Sequence, residues 1–258
     1  MAKVIEPEPK QLSKETKKVE VPAFFMCKQS VLMDAVTIMD GLLHEVVLIL
    51  DENGLTATAM DQANIALYSL QLKPAEFSEI EGKAEVKVQV KALKGMLKRA
   101  ASTDNVRITF SNPIELVFAS KFNKTFTLPI IGDDEEKIQK IPELNHDAVF
   151  KIKTDLITEA IDDAGLVSDS LTMEVKDEEL KISAKGDASG YGGDGLGKFT
   201  GTKDCVSKFA RDYLTKMVKK VADEVTVGLG TDYPIMLTYE LGNESKLVLV
   251  LAPRVSND

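Results

Sequence analysis

A chain of 258 residues, 44% hydrophobic and 28% charged, has the composition of a soluble globular protein, and no apolar run approaches the roughly 20 residues that a membrane span requires. Its net charge of −9 and pI of about 5.0 argue against a general coating for nucleic acid or for an anionic membrane. Two cysteines, Cys27 and Cys205, argue against a disulfide framework and suit a reducing cytoplasm in which each fills core space.

The opening MAKVIEPEPKQLSKETKKVEVP is polar, charged and proline-bearing; without an apolar central stretch it reads as a flexible lead-in and not as a signal peptide. From Lys28, KQSVLMDAVTIMDGLL places Val31, Leu32, Ala35, Val36 and Met39 on one stripe of a predicted helix. EVVLILDENGLTATAMDQANIALYSLQL then alternates as strands do, with Asp51-Glu52-Asn53-Gly54 as a hairpin turn. A second helix is predicted where Val90, Leu93, Leu97 and Ala100 recur at helical spacing, with Lys91, Lys94 and Lys98 on its other face. NVRITF, IELVFAS and KTFTLPIIG follow as strands, and GDDEEKIQKIPELNHDA as a linker without a convincing period.

The second half repeats the first. KTDLITEAIDDAGLVSDS from Lys153 lies over the helix from Lys28, with Ile157, Ala160 and Ile161 on Leu32, Ala35 and Val36. Its apolar stripe is Leu156, Ile157, Ala160, Ile161 and Ala164. SLTMEVKDEELKISAKG repeats the hairpin, turning between Lys176 and Glu179. YLTKMVKKVADEVTVGL answers ALKGMLKRAASTDNVRITF, with Phe209, Leu214, Met217, Val218 and Val221 at helical spacing. EVTVGLG, PIMLTYEL and KLVLVLAPR close the copy as strands. Two copies of one α+β unit predict a pseudo-symmetric architecture, and with it a surface, a ring or a cleft. Lys87, Lys91, Lys94, Lys98 and Arg99 stand without an acid between them, and Lys208, Arg211, Lys216, Lys219 and Lys220 against Asp212 alone. Positive charge in an acidic protein is thus expected on two repeat-related helices.

Catalytic patterns are poor by comparison. Gly190, Gly192 and Gly195 fit G-x-G-x-x-G, and Gly192 with Gly197-Lys198 nearly fits a P-loop, yet Phe199 stands where a magnesium-binding hydroxyl belongs. Nucleotide binding through residues 190–198 is the remote enzyme alternative. His44 and His146 are the only histidines, with no H-E-x-x-H and no C-x-x-C, so no zinc site is expected. Asp133, Asp134, Glu135 and Glu136 read as a solvated linker, and the adjacent Asp162 and Asp163 do not face one another as a catalytic pair would. No catalytic residue, metal or cofactor is expected.

Several separated segments resemble one family, the sliding clamps called proliferating cell nuclear antigen in their archaeal and eukaryotic form. They are LTATAMDQANIALYSLQL with Ala59-Met60-Asp61, VKALKGMLKRA, FTLPII before an acidic connector ending in IPEL, LVSDS from Leu166 to Ser170, and LAPR from Leu251 to Arg254. The likeness runs from about Ala23 to Val255. It implies two topologically equivalent DNA-clamp domains with inner helices and outer antiparallel sheets, residues 23–132 and 147–258, joined by a connector at 133–146 and preceded by an extension at 1–22. Three subunits would close head to tail around double-stranded DNA, as a homotrimer or as a heterotrimer with sister clamps. Such a ring catalyses nothing and acts as a polymerase processivity factor.

For the inner wall the resemblance selects Lys98 and Lys219, joined by Lys91, Lys94, Arg99, Lys208, Arg211, Lys216 and Lys220; Thr37, Asp162 and Leu166 stand where relatives often carry basic residues. For a pocket receiving short peptides of DNA polymerase, clamp loader, flap endonuclease and ligase, it selects Met60, Ile65, Leu67, Ile138, Ile141, Pro142, Pro234, Val250, Ala252 and Pro253. The glycine-rich stretch at 186–201 occupies the place of an edge strand that would pair across the subunit boundary with the strand near Lys121 to Leu128. The implied location is the nucleoid-associated cytoplasm, or the nucleus of a eukaryote. A clamp-like adaptor that binds partner peptides as a monomer, or only within a heterotrimer, is the alternative reading.

Overall fold

The computed structural model describes residues 22–119, 122–132 and 141–254. The first half runs β1 (Phe24–Lys28), α1 (Gln29–Leu42), β2 (Glu45–Asp51), β3 (Gly54–Met60) and β4 (Ala66–Leu72). It continues through β5 (Glu79–Glu81), β6 (Ala84–Gln89), α2 (Val90–Leu97), β7 (Asn105–Thr109), β8 (Ile114–Ala119) and β9 (Lys124–Leu128). The second half repeats that order as β10 (Ala148–Lys153), α3 (Thr154–Ala164), β11 (Ser170–Lys176), β12 (Glu179–Lys185) and β13 (Gly190–Gly193). It ends with β14 (Cys205–Ala210), α4 (Arg211–Met217), β15 (Glu224–Leu229), β16 (Ile235–Gly242) and β17 (Ser245–Leu251). Among the described residues, only β5 lacks a counterpart.

All strand pairs are antiparallel, in sheets ordered β5-β1-β7-β8-β9, β13-β12-β11-β14 and, between them, β10-β15-β16-β17-β4-β3-β2-β6. The central sheet draws four strands from each half and joins them where β17 pairs with β4, Lys246 opposite Gln71 through Leu251 opposite Ala66. The counterparts of that pair are β9 and β13, which are the outer edges of the two remaining sheets.

Alternation sets which face of each strand is buried. In β2, Val46, Leu48 and Leu50 turn inward, and in β15 Val225 and Val227 do. The helices form one layer over these inner faces in the order α2, α1, α4, α3. Two buried tyrosines tie the layer down: the Tyr68 hydroxyl donates to the Ala35 carbonyl at 3.0 Å and the Tyr239 hydroxyl to that of Met217 at 3.2 Å. Burial pushes the Tyr68 phenol upward, so each stays a neutral donor whose partner offsets the cost of burying it. Gly54 in the first hairpin has φ +113°, and a Cβ there would lie 1.9 Å from the Leu72 carbonyl oxygen. The second hairpin turns through Asp177 and Glu178 at positive φ without a glycine.

The repeat-matched positions Leu32, Ala35, Val36, Ile157, Ala160 and Ile161 are all buried. Leu156 departs from its predicted stripe: it is 42% exposed, and Thr154 faces inward with its hydroxyl on the Ala222 carbonyl at 2.7 Å. Both basic helices are shorter than the spacing predicts. α2 stops at Leu97, which makes Lys98 its C-cap, and Phe209 belongs to β14, before α4 begins at Arg211. Cys205, Ser207 and Phe209 alternate inward at the strand's period of two, so Phe209 closes the strand and does not open the helix. The two basic clusters consequently begin on strands, Lys87 in β6 and Lys208 in β14. The predicted edge strand does form in the glycine-rich stretch, but only over Gly190–Gly193.

Candidate functional site

On the side of the central sheet away from the helices, the register aligns one residue from each of six neighbouring strands in a transverse row. Met60 of β3 faces Leu67 of β4, Leu67 faces Val250 of β17, Val250 faces Met236 of β16, Met236 faces Gly228 of β15, and Gly228 faces Val149 of β10. Leu67, Val248 and Val250 form an apolar cluster separate from the main core, with Met60, Met236 and Leu144 packed against it. The cluster lies across the seam between the halves. Adaptable methionines flank a β-branched and aliphatic centre, as suits a surface that must receive an apolar plug.

The end of the connector is fastened over the far part of this row. His146 places Nε2 2.9 Å from the Pro234 carbonyl oxygen, and its ring stands edge-on to Tyr233 at 5.6 Å. Gly228 makes room for it, since a Cβ there would meet His146 Nδ1 at 2.5 Å.

The loop from Asp61 to Ala66 forms the rim. The Asp61 carboxylate is buried and accepts the backbone N–H groups of Ala63 at 3.2 Å, Ile65 at 2.9 Å and Ala66 at 2.8 Å, and the Tyr213 hydroxyl of α4 at 2.6 Å. Burial alone would raise its pKa; the phenol and the three amides outweigh burial and hold it below the ordinary carboxylate range. Ile65, 36% exposed, is fixed from its other side because its carbonyl accepts the Ala252 N–H at 2.8 Å.

Of the residues predicted for a partner pocket, Met60, Leu67 and Val250 lie in the row and Ile65 on the rim. Ala252, Pro253 and Pro234 are half-buried at its border, and Pro142 is exposed. Ile138 lies outside the described residues. Ile141, 38% exposed, lines a neighbouring hollow of about 210 Å³ with Thr58, Ser69 and Val248, so the connector residue in the apolar cluster is Leu144 instead. Met236, Val248 and Leu144 carried no sequence signal of their own. Only the strand register brings the first two into place.

The predicted basic residues divide by environment. Lys94 is paired with Asp40 at 2.8 Å, Arg211 with Asp212 at 2.6 Å and Lys220 with Asp155 at 2.7 Å. Lys91, Lys98, Arg99, Lys208 and Lys219 are exposed, and Lys216 extends over the Tyr213 ring at 5.4 Å. Thr37 turns its hydroxyl back to the Met33 carbonyl at 2.8 Å. α3 exposes Asp155, Glu159, Asp162 and Asp163 and contains no basic residue, and Leu166 just beyond it is 87% exposed.

The glycine-rich segment is no phosphate cradle. Strand β14 follows it where a P-loop requires a helix, and its amides already have anionic partners: Gly195 N–H donates to Glu179 Oε1 at 3.3 Å and Gly201 N–H to Glu178 Oε1 at 3.2 Å. Phe199 anchors it by stacking on Phe150 at 4.3 Å. Among the described residues, no group of three or more His, Cys, Asp or Glu is arranged to hold a metal ion, and no helix is long and apolar enough to cross a membrane.

Residues 25–130 match the family model for the proliferating cell nuclear antigen N-terminal domain. The DNA polymerase sliding clamp of Thermococcus gammatolerans is 33% identical over 234 residues, covering 86% of this chain and 94% of the relative. That of Pyrococcus abyssi is 32% identical over 226 residues, 83% and 90% of the two chains. Among solved structures, A. fulgidus PCNA bound to the C-terminal region of FEN-1 superposes with a TM-score of 0.81 at 25% identity, covering 92% of this chain and 100% of that one. The fold is also that of the PCNA2-PCNA3 complex from Sulfolobus tokodaii, with a TM-score of 0.79 at 21% identity and coverage of 90% and 99%.

Proposed function

The chain belongs to the family of DNA polymerase sliding clamps of the proliferating cell nuclear antigen type, and from that premise we propose that it closes into a three-subunit ring around duplex DNA and tethers replication and repair enzymes there. One observation carries the reading: each chain closes a β17–β4 seam internally and, among the described residues, leaves the counterparts of those two strands, β9 and β13, as open edges. Pairing β9 of one copy with β13 of the next repeats the seam head to tail, and rotation by a constant angle closes a ring.

Charge favours copies of the same chain at this joint. Around β9 stand Arg99 and Lys124, the latter donating to the Arg99 carbonyl at 2.8 Å. Around β13 stand Glu159 and Asp163, close enough to Tyr191 that, after burial, their charges help raise its pKa. Basic and acidic edges are mutually attractive head to tail and repel in the reverse pairing.

In the ring, the helix layer faces the DNA. Lys91, Lys98, Arg99, Lys208, Lys216 and Lys219 meet phosphates without reading bases, while Lys94, Arg211 and Lys220 carry neighbouring acids. Nonspecific affinity of this kind is weak, on the order of 10⁻⁴ to 10⁻⁶ M at physiological salt, and permits sliding; encirclement supplies the residence time. The chain itself catalyses nothing. Its work is to raise the local concentration of enzymes whose short apolar peptides enter the row at the seam. By the same reading DNA polymerase, clamp loader, flap endonuclease and ligase are the partners, the domains are residues 23–132 and 147–258, and the location is the nucleoid-associated cytoplasm.

Native mass and topological retention test this together. A three-chain assembly should form from the purified chain and, once loaded, stay on circular DNA but run off linear DNA. Equal retention on both templates counts against encirclement, and a monomer that assembles only with sister chains replaces the homotrimer by a heterotrimer.

A further inference from the structure

The Tyr213–Asp61 hydrogen bond joins elements that are far apart in the chain and serve different faces of the fold. Tyr213 belongs to α4, in the helix layer, whereas Asp61 begins the loop that ends in the exposed Ile65 at the rim of the apolar row. Asp61 Oδ1 receives the amides of Ile65 and Ala66; Oδ2 receives the Ala63 amide at a long 3.2 Å and the Tyr213 hydroxyl at 2.6 Å. The phenol is therefore the short bond that orients the second oxygen, and the carboxylate, together with the Ala252 N–H on the Ile65 carbonyl, sets where Ile65 stands.

Packing does not fix the loop in its place. Gln62 and Ala63 are exposed, and a hollow of about 360 Å³ opens beside them, bounded by the end of α1, Tyr213 and Lys216. With open space behind the loop, its position depends on hydrogen bonds, and a charge-assisted bond to a buried carboxylate is among the stronger ones available.

We propose that Tyr213 is a positioning residue for partner binding: through its hydroxyl it holds the Asp61–Ala66 loop in the conformation that presents Ile65 beside Leu67 to an apolar partner peptide. The proposal rests on the reading of the row as the partner site. It also gives α4 a second role. The helix that carries Lys216 toward the DNA side sets the shape of the outer pocket through the residue three positions earlier.

The test compares Tyr213→Phe with Leu67→Ala in the assembled protein, titrating a synthetic peptide that carries an aliphatic and an aromatic plug. Removing the hydroxyl alone should weaken the peptide about three- to tenfold, the range expected when one hydrogen bond to a charged group is lost and partly replaced by water. It should also speed hydrogen exchange at the Ile65 and Ala66 amides, a readout that a merely structural role for the ring would leave unmoved. Unchanged affinity and exchange in Tyr213→Phe, with Leu67→Ala still losing the peptide, overturns the positioning role and keeps the site. If neither variant alters affinity, the row itself is not the partner site.

Discussion

Leu67 and Val250 face each other across the one backbone ladder that, among the described residues, joins the two halves, so the apolar row is assembled at the seam and belongs to neither repeat alone. Leu67 is 5% exposed and Ile141 38%, and their truncations should separate accordingly. Leu67→Ala is expected to cost about 2–3 kcal/mol of stability and to weaken partner peptides. Ile141→Ala should leave the urea midpoint nearly unchanged and lower peptide affinity by a smaller factor. Parallel calorimetric titrations decide it, and equal affinity for both variants and the parent would move the pocket elsewhere.

Exposed and acid-paired cations are expected to behave differently on DNA. Replacing Lys98 and Lys219 with Glu should reduce affinity and lower the slope of log K against log salt by about one for each phosphate contact removed. Lys94→Glu should also place a second carboxylate beside Asp40, its present partner at 2.8 Å, and reduce stability. Native mass should remain that of the assembly in the Lys98 and Lys219 variants. Unaltered salt dependence would remove these residues from the DNA-facing wall.

Stability should depend on pH at both ends through Asp61 and Tyr213. The Asp61 carboxyl is held below its ordinary range, so its contribution is complete above the unfolded value of about 3.9 and is lost as pH falls through the folded one. The Tyr213 phenol is pushed up to about 12, first by its hydrogen bond to Asp61, then by burial and by the carboxylate charge. Its contribution is complete below about 10 and is lost as pH rises from there toward the folded value. Urea midpoints across the two windows should fall for the parent, and Tyr213→Phe should flatten the alkaline fall. Superimposable profiles would show that the pair does not contribute.

Gly228→Ala should be among the more damaging single-methyl additions, because the new Cβ would meet the His146 ring at 2.5 Å and the ring is held by the Pro234 carbonyl at 2.9 Å. Overpacking of this kind costs about 1–3 kcal/mol. Adding His146→Ala should recover part of that loss, since it empties the space. A double-mutant cycle reads the coupling, and strictly additive losses would mean that the ring does not restrain the site.

The duplicated organisation was legible because Leu32, Ala35 and Val36 recur as Ile157, Ala160 and Ile161, and the hairpins because alternation is interrupted by polar turns. The helix ends were not, since over five or six residues a strand's alternation and a helix's stripe select overlapping positions, as at Phe209. Leu156 faces water because the backbone of α3 turns Thr154 inward to the Ala222 carbonyl, a partner 68 residues away that periodicity does not reveal. In the candidate site, Met60, Leu67 and Val250 were reachable through family resemblance. Met236 and Val248 depend on which residue lies opposite which, and the Asp61–Tyr213 bond spans 152 positions.

The continuous ladder from Lys246 to Leu251 against Ala66 to Gln71 makes each molecule stiff at its middle, because bending it there would break backbone hydrogen bonds in a buried sheet. A subunit that resists flexure must admit a duplex elsewhere. In the proposed ring that passage falls to the contacts between molecules, where β13 offers only the four residues Gly190–Gly193, so the gate through which DNA is threaded is written into a strand of four residues.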